Sequence, residues 1–326
     1  MPTVSVIVPN YNHAQFLDKR LTTVLEQTFS DMEVLVLDDA SSDSSRDVID
    51  RFKDDSRVRT DYRATNSGIP GAQWNRGVHM AQGKYIWIAE SDDYADLDLL
   101  QTLVQILDDQ PDVGLAYCES TVVDEASHEL FSGNVWTAQL DPDRWTKFFV
   151  NDGRDECARF HVVRNLIPNA SAVLFRRCLF EEVGGADESY RVAGDYDLWT
   201  RMMMRTHLAF TPRHLNFFRD HGTTVRNKYT KNLRYLEEDY QVLDAIRCAI
   251  QVPTSSLELA FDRRLNSWSS LCLHEQPQIN WRLNWSIYRR ARQSDPAIHR
   301  RLAKYWYAHF RGLRPHPNRF YLLQTD

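Results

Sequence analysis

The sequence predicts an α/β fold with a doubly wound, mostly parallel sheet, followed by a helical extension at the C-terminus. Short β-branched runs alternate with amphipathic segments over roughly the first 90 residues, which is typical of strand and helix cycles around a parallel sheet. Two of these runs end in acidic pairs, at the carboxyl edge where ligands bind in such sheets. Beyond residue 229 the apolar residues follow helical spacing almost to the end of the chain.

The first elements follow from their residue types. Residues 4–8 form a β-branched run, and Pro9 is expected to end it because proline lacks a backbone N–H group. The next helix has one apolar face, formed by Leu17, Leu21, Val24 and Leu25. The alternation then continues with strands at 33–37, near 58 and at 85–89, and with helices after 43 and over 72–81.

The later elements are less regular. Apolar runs predict strands at 113–118, 170–175 and 215–219, and a helix is predicted over 195–205. Between residues 118 and 165 the periodicity weakens, so this polar stretch is interpreted as loops and short elements.

Composition and charge narrow the class of protein. The chain of 326 residues has a net charge of −6, yet residues 281–326 carry ten Lys or Arg against two Asp, which leaves −14 on the remainder. Five cysteines without a C-x-x-C pair predict reduced thiols in a cytosolic protein. With no signal peptide and no apolar run of the ~20 residues that a membrane span needs, we expect a cytoplasmic protein, soluble or peripheral at the membrane.

The segment Glu90-Ser91-Asp92-Asp93 directly follows the strand predicted at 85–89. Carboxylates at the tip of such a strand are hard oxygen ligands, which suit Mg²⁺ or Mn²⁺ holding a diphosphate. The alternative is that these acids only begin the next helix, since acidic residues favour helix N-termini.

Four segments in sequence order carry a family resemblance. They are residues 5–12, 36–43, 90–93 and 194–199, which read SVIVPNYN, VLDDASSD, ESDD and GDYDLW. Together they resemble the family 2 inverting glycosyltransferases, which have the GT-A fold, over about residues 3–225. The resemblance implies a domain of this fold over residues 1–226, with a helical, basic and aromatic-rich region over 227–326.

The resemblance implies a nucleotide site at the ends of the first two strands. Asp39 matches the aspartate that reads the base, where a carboxylate accepts the N3–H of uracil or thymine. Tyr11 matches a position that stacks on the base, and Pro9 belongs to the same motif. UDP- or dTDP-sugar donors are therefore favoured; GDP-sugars are disfavoured but not excluded, because guanine also has a ring N–H. Asp38 is interpreted as a turn residue.

A metal site is implied as well. Asp92 and Asp93 match the acidic metal motif of the family, one contacting the ribose and one the cation, with Glu90 where relatives often have Asp. His221 matches a histidine on a loop that reaches the metal or the diphosphate. The implied cofactor is Mg²⁺ or Mn²⁺, acting as a Lewis acid on the leaving diphosphate.

Asp195 is the implied general base. On a helix, Asp195 and Asp197 would point about 200° apart, so only one of them can face the site. Family position selects Asp195, and a helix start favours its ionised form. Gly194 stands where relatives often have an acidic residue, which weakens acceptor contacts at that point.

The expected activity is transfer of a sugar from a nucleotide-sugar donor to a hydroxyl of a glycan or lipid-linked oligosaccharide acceptor, with no nucleic-acid partner. One alternative is a sugar-phosphate nucleotidyltransferase, although residues 9–12 lack the glycine-rich, basic loop that a triphosphate needs. The other is an inactive module that binds nucleotide sugars. From Trp281 onward, interleaved arginines and aromatics predict either peripheral contact with an anionic membrane or a helical cap or homo-oligomer interface.

Overall fold

The computed structural model describes residues 1–167, 169–221, 234–270, 272 and 281–311. Ten strands of one sheet lie within these residues. They are β1 Val4–Asn10, β2 Met32–Asp38, β3 Val58–Tyr62, β4 Tyr85–Ile88, β5 Tyr94–Ala95, β6 Val113–Val123, β7 Glu129–Ser132, β8 Phe149–Asp152, β9 Val173–Arg176 and β10 His207–Arg219.

The helices of the first two thirds of the chain alternate with these strands. They are α1 Ala14–Leu25, α2 Ser45–Asp50, α3 Pro70–Met80, α4 Leu99–Asp109, α5 Gly153–Glu156, α6 Arg177–Glu182 and α7 Gly194–Met203. The described C-terminal residues are helical, in the segments Arg234–Ala249, Thr254–Ser270, Trp281–Ser294 and Ile298–Phe310. None of the described helices is long and apolar enough to cross a membrane.

The strand order confirms the predicted α/β sheet. It runs β3-β2-β1-β4-β9-β6-β10-β5, with β7 beside β6 and β8 beside β10. Strands β1 to β4 are parallel, and β10 is parallel to β6, whereas β9 is antiparallel to both β4 and β6. The carboxyl ends of β1, β2 and β4 therefore meet at one edge of the sheet.

Helix α3 lies close to the sheet because Gly77 has no side chain. A Cβ atom there would collide with the side chain of Ile7, which is fully buried in β1. The strands β1, β2 and β4 are buried at every position, as expected when helices cover both faces of a parallel sheet.

Several boundaries differ from the sequence-based predictions. Pro9 lies inside β1 and does not end it, and it is tolerated because β4 already stops pairing with β1 at Ile7. Residues Ala170–Ala172 form a 3₁₀ turn before β9, and β10 begins at His207, well before the predicted 215. Each difference arises where long-range pairing decides the backbone conformation.

The chain divides into two compact units. The first comprises residues 1–156 and 166–221, and the second comprises 157–165 and 222–326. The boundary predicted between residues 226 and 227 lies outside the described residues. Within the second unit, the fully buried Arg264 donates to the carbonyl oxygen of Val162 at 3.1 Å and to Asp239 Oδ1 at 2.8 Å. These bonds join the short segment 157–165 to the C-terminal helices of the same unit.

A small recess in the first unit contains a buried acid. Its volume is about 20 Å³, enough for one water molecule or hydroxyl group. Among the residues that line it are Glu119, Gly133, Trp136, Thr137 and Trp145. Burial raises the pKa of Glu119 to about 7, although the backbone N–H of Ser120 donates to its carboxyl at 2.8 Å. A Cβ on Gly133 would crowd this carboxyl, so the glycine makes room for it.

We predict that Glu119 makes the protein less stable as the pH rises from about 4.5 to 7. An ordinary glutamate ionises near pH 4.5, whereas folded Glu119 keeps its proton to about pH 7. In this window the unfolded chain releases a proton that the folded chain retains, which costs up to about 3 kcal/mol. Urea titrations across this range should show a flatter pH dependence for Glu119→Gln than for wild type. The exposed Glu182→Gln is the matched control, and parallel curves for wild type and Glu119→Gln would contradict the prediction.

Candidate functional site

The carboxyl ends of β1, β2 and β4 bring three predicted motifs together. Strand β1 lies between β2 and β4, with Asn10 opposite Asp38 and Ile7 opposite Ile88. The backbone N–H of Asp39 donates to the carbonyl oxygen of Asn10 at 2.8 Å, so the turns after β1 and β2 are directly joined.

A candidate metal-binding cluster is formed by His13, Asp92 and His221. Their ligand atoms all lie within 4.8 Å of one another. Among the described residues, this is the group in which at least three His, Cys, Asp or Glu side chains lie close enough to hold one metal ion. His221 Nε2 lies 3.0 Å from Asp92 Oδ2, and the two imidazole rings meet edge to face at 5.6 Å. His13 Nδ1 lies 2.9 Å from the hydroxyl of Ser91. Imidazole nitrogens and a carboxylate can together hold a divalent cation.

The electrostatics of the cluster favour an ionised Asp92. Burial alone would raise the pKa of Asp92, but the hydrogen bond with His221 and the positive charge that His13 and His221 carry when protonated outweigh it and lower that pKa. Burial lowers the pKa of His13, against the opposing influence of Asp92. A carboxylate beside a neutral imidazole is the protonation state that binds a metal ion.

Asp93 does not belong to this cluster. Its carboxylate accepts hydrogen bonds from Asn169 Nδ2 at 2.8 Å, from Ser171 Oγ at 2.7 Å and from the backbone N–H of Arg219 at 2.9 Å. Arg20 lies 3.7 Å away, and both side chains are buried. Burial and the charge of Asp92 raise the pKa of Asp93 to about 6. In this structure its oxygens are thus occupied by protein donors.

A buried arginine forms hydrogen bonds that hold the backbone of the acidic segment 90–93. Arg20, on α1, donates from Nε to the carbonyl oxygen of Glu90 at 2.8 Å and from Nη2 to Ser171 Oγ at 3.0 Å. The side chain of Glu90 accepts from Trp74 Nε1 at 2.9 Å. Burial, reinforced by the charge of Asp92, raises the pKa of Glu90 to about 8. Glu90 is thus held by an indole N–H group.

Arg219 also holds the acidic segment in place. Its fully buried side chain donates to the carbonyl oxygen of Asp92 at 2.8 Å and to that of Glu125 at 2.8 Å. It therefore does not extend toward solvent as a phosphate clamp would.

The predicted nucleotide contacts lie beside the turns after β1 and β2. Asp39 is buried and accepts hydrogen bonds from Ser67 Oγ at 2.6 Å and from the backbone N–H of Ser67 at 2.9 Å, with Arg63 Nε at 3.5 Å. Tyr11 is 44% exposed, so part of its surface is accessible. Pro9 is buried within β1.

Asp38 has the structural role that turn chemistry predicts. Its carboxylate accepts from Asn10 Nδ2 at 3.1 Å, from the backbone N–H of Ser41 at 3.1 Å and from Arg46 Nε at 3.1 Å. These bonds hold the turn after β2, in which Ala40 has a positive φ angle of 62°, against the turn after β1, in which Asn12 has a φ angle of 58°.

Asp195 and Asp197 have different surroundings at the start of α7. Asp195 is partly exposed, and its Oδ1 accepts from the backbone N–H of Tyr196 at 2.7 Å. Asp197 is buried, and Arg201, one turn along, holds its Oδ2 with Nε at 2.8 Å and Nη2 at 2.7 Å. Burial raises the pKa of Asp197 against the opposing charge of Arg201. The ion pair occupies Asp197.

Sequence reasoning missed His13, Arg20 and Ser171. One signal for His13 was available, since it comes three residues after β1, at the edge where ligands bind. Arg20 and Ser171 gave none, because their partners lie 70 to 151 residues away in the sequence.

The chain is similar to known glycosyltransferases. The protein-family model described as Glycosyl transferase family 2 matches residues 5–160. The uncharacterized glycosyltransferase RP339 of Rickettsia prowazekii is 27% identical over 241 residues, which are 73% of this chain and 70% of the relative. The putative teichuronic acid biosynthesis glycosyltransferase TuaG of Bacillus subtilis is 34% identical over 107 residues, 32% of this chain and 42% of the relative.

Two solved structures share the fold. S. aureus TarS 1–349 in complex with UDP-GlcNAc has a TM-score of 0.58 and 17% identity, covering 83% of this chain and 72% of that one. The mannosyltransferase PcManGT from Pyrobaculum calidifontis, in complex with GDP-Man and Mn²⁺, has a TM-score of 0.58 and 18% identity, covering 96% of this chain and 82% of that one. Since the family match spans the strands whose ends carry the acidic motif, the chain is a glycosyltransferase whose residues 5–160 are similar to the Glycosyl transferase family 2 model, and its fold is the GT-A fold of these solved structures.

Proposed function

We propose that the chain transfers a sugar from a UDP- or dTDP-sugar to a hydroxyl of a glycan or lipid-linked acceptor, with inversion and with a divalent cation. The observation that carries this proposal is the cluster of His13, Asp92 and His221 at the sheet edge that also bears Asp39. The cation would be bound by the cluster, and the nucleotide base would be bound by Asp39 at the end of a strand of the same sheet edge.

The donor set of the cluster suits Mn²⁺ better than Mg²⁺. Two imidazoles and one carboxylate favour a borderline transition ion, whereas Mg²⁺ prefers oxygen ligands and retains its waters. The presence of Mn²⁺ in the PcManGT complex supports this choice. When bound, the cation would act as a Lewis acid on the leaving diphosphate.

The proposed base contact is Asp39. Ser67 and Arg63 already engage its carboxylate, but an ionised carboxylate has about four acceptor positions, so it can also accept a uracil N3–H. The exposed ring of Tyr11 would stack on the base. The UDP-GlcNAc of the TarS complex supports a uridine donor. Because PcManGT binds GDP-Man, a test of donors should also include a GDP-sugar.

Asp195 is the proposed general base of a single displacement. The acceptor hydroxyl would give its proton to Asp195 while its oxygen attacks the anomeric carbon. The bond from that carbon to the diphosphate oxygen then breaks, and attack from the opposite face inverts the configuration. Asp197 is a weaker candidate because Arg201 already holds it.

We further propose that Asp93 positions the site and does not bind the cation. Its oxygens accept from Asn169, Ser171 and Arg219, which come from the entry to β9 and the end of β10. The backbone of Asp92 is thereby fixed while the side chain of Asp92 stays partly exposed. Of the two adjacent acids, Asp92 is the proposed metal ligand, together with His221.

The first prediction from the proposed function concerns metal-dependent nucleotide binding. Calorimetric titration should show UDP binding that Mn²⁺ strengthens more than Mg²⁺ and that EDTA weakens. His13→Ala and His221→Ala should each reduce the Mn²⁺ effect at least about tenfold, because each removes a ligand. The exposed His79→Ala is the control. Asp39→Ala should weaken UDP with and without metal, and equal UDP affinity in Mn²⁺ and EDTA would refute the metal site.

The second prediction separates the two acids of α7. Asp195→Asn should leave UDP binding nearly unchanged and lower turnover by about 10²- to 10⁴-fold, because a positioned base is lost. Asp197→Asn should lower turnover less. Release of sugar from UDP- and dTDP-sugars measures this and also separates an enzyme from an inactive module. A larger loss for a folded Asp197→Asn variant would reassign the base.

The third prediction concerns Asp92 and Asp93. Asp93→Asn introduces an amide N–H₂ group among the donors of Asn169, Ser171 and Arg219, so unfolding should become about 1–3 kcal/mol easier. Asp92→Asn should cost less stability yet remove Mn²⁺-dependent UDP binding. Urea titration at pH 8 and calorimetry measure the two effects. Equal destabilisation by both variants would contradict the division of roles.

A further inference from the structure

The helix Trp281–Ser294 exposes two tryptophans and two arginines along one side. Trp281, Trp285, Arg289 and Arg292 are separated by four, four and three residues, so they form a single stripe. Trp281 is 76% exposed and Trp285 is 58% exposed. The opposite side of the helix is buried and carries Ile287, Ala291 and Ser294.

The next helix, Ile298–Phe310, repeats this arrangement. Arg300, Lys304, Tyr307 and Arg311 are separated by four, three and four residues and are all exposed. The buried residues of this helix lie on the other side, and they are Ile298, Arg301 and Tyr305. The Tyr288 hydroxyl lies 2.7 Å from His299 Nε2, so the two helices are in direct contact.

We call the exposed set the aromatic-basic face. It consists of Trp281, Trp285, Arg289, Arg292, Arg300, Lys304, Tyr307, Phe310 and Arg311. No ion pair forms between its five cations and any other described residue. The single acid between residues 281 and 311 is Asp295, which is buried and accepts from Arg301 at 2.9 Å. The face is therefore both apolar and strongly cationic.

We propose that the aromatic-basic face binds an anionic lipid surface. Lys and Arg are attracted to anionic headgroups, and Trp and Tyr favour the interface between headgroups and acyl chains. A second copy of the chain is a poorer occupant. In a two-fold dimer the same face meets itself, which would bring five unpaired cations against five others. This binding is independent of the proposed glycosyl transfer.

Vesicle co-sedimentation of the full chain tests the proposal. The protein should pellet with phosphatidylcholine vesicles that contain phosphatidylglycerol and stay in solution with phosphatidylcholine alone. About 1 M salt, which shortens the screening length to ~3 Å, should release it. The double variant Arg289→Gln and Arg292→Gln should bind roughly 30-fold more weakly, at about fivefold per cation. Trp281→Ser with Trp285→Ser should also weaken binding.

The matched control is Lys147→Gln with Arg205→Gln, which removes the same charge at exposed positions outside the face. This control should bind as wild type does, and thermal unfolding should show that every variant is folded. Equal loss in the control, or no binding to anionic vesicles at low salt, would overturn the proposal. A dimer that dissociates on changing both tryptophans, seen by sedimentation velocity, would assign the face to a second copy. UDP binding can persist in each case, so failure here is separate from failure of the proposed activity.

Discussion

The site depends on one buried carboxylate, that of Asp93. Its three hydrogen bonds join the end of β4 to the entry of β9 and to the end of β10, and Arg20 of α1 lies beside it. A buried anion is costly unless it is fully paired, so these elements must be in place together. The fold therefore sets the positions of Asp92 and of the segment leading to His221 through a group that need not touch substrate.

Much of the fold follows from periodicity, which depends on local sequence. The alternation of strands and helices up to β4, and the acidic residues that follow β2 and β4, can be recognised from neighbouring residues alone. The parallel sheet follows from this alternation. The extent of β10 and the 3₁₀ turn before β9 are not local, because partners on β6, β8 and β4 decide them. The same limit applies to the site. Asp92 and Asp93 are neighbours, yet only the fold shows that one meets histidines and the other is enclosed by donors.

The surroundings of Glu90 affect the charge of the acidic edge. Its side chain accepts a hydrogen bond from the indole N–H of Trp74. An indole N–H donates one hydrogen bond without a charge, and burial together with the neighbouring carboxylate of Asp92 raises the pKa of Glu90 against the opposing charge of Arg20. The acidic edge thus holds fewer negative charges at neutral pH than its sequence suggests.

The excursion of residues 157–165 into the second unit has a consequence for shortened forms of the chain. Phe160, Val162 and Val163 are buried, and the carbonyl oxygens of Val162 and Val163 accept from arginines of the helix Thr254–Ser270. A chain cut after β10 would retain this apolar strip and lose what covers it. A protein shortened in this way would therefore expose apolar surface, which favours aggregation.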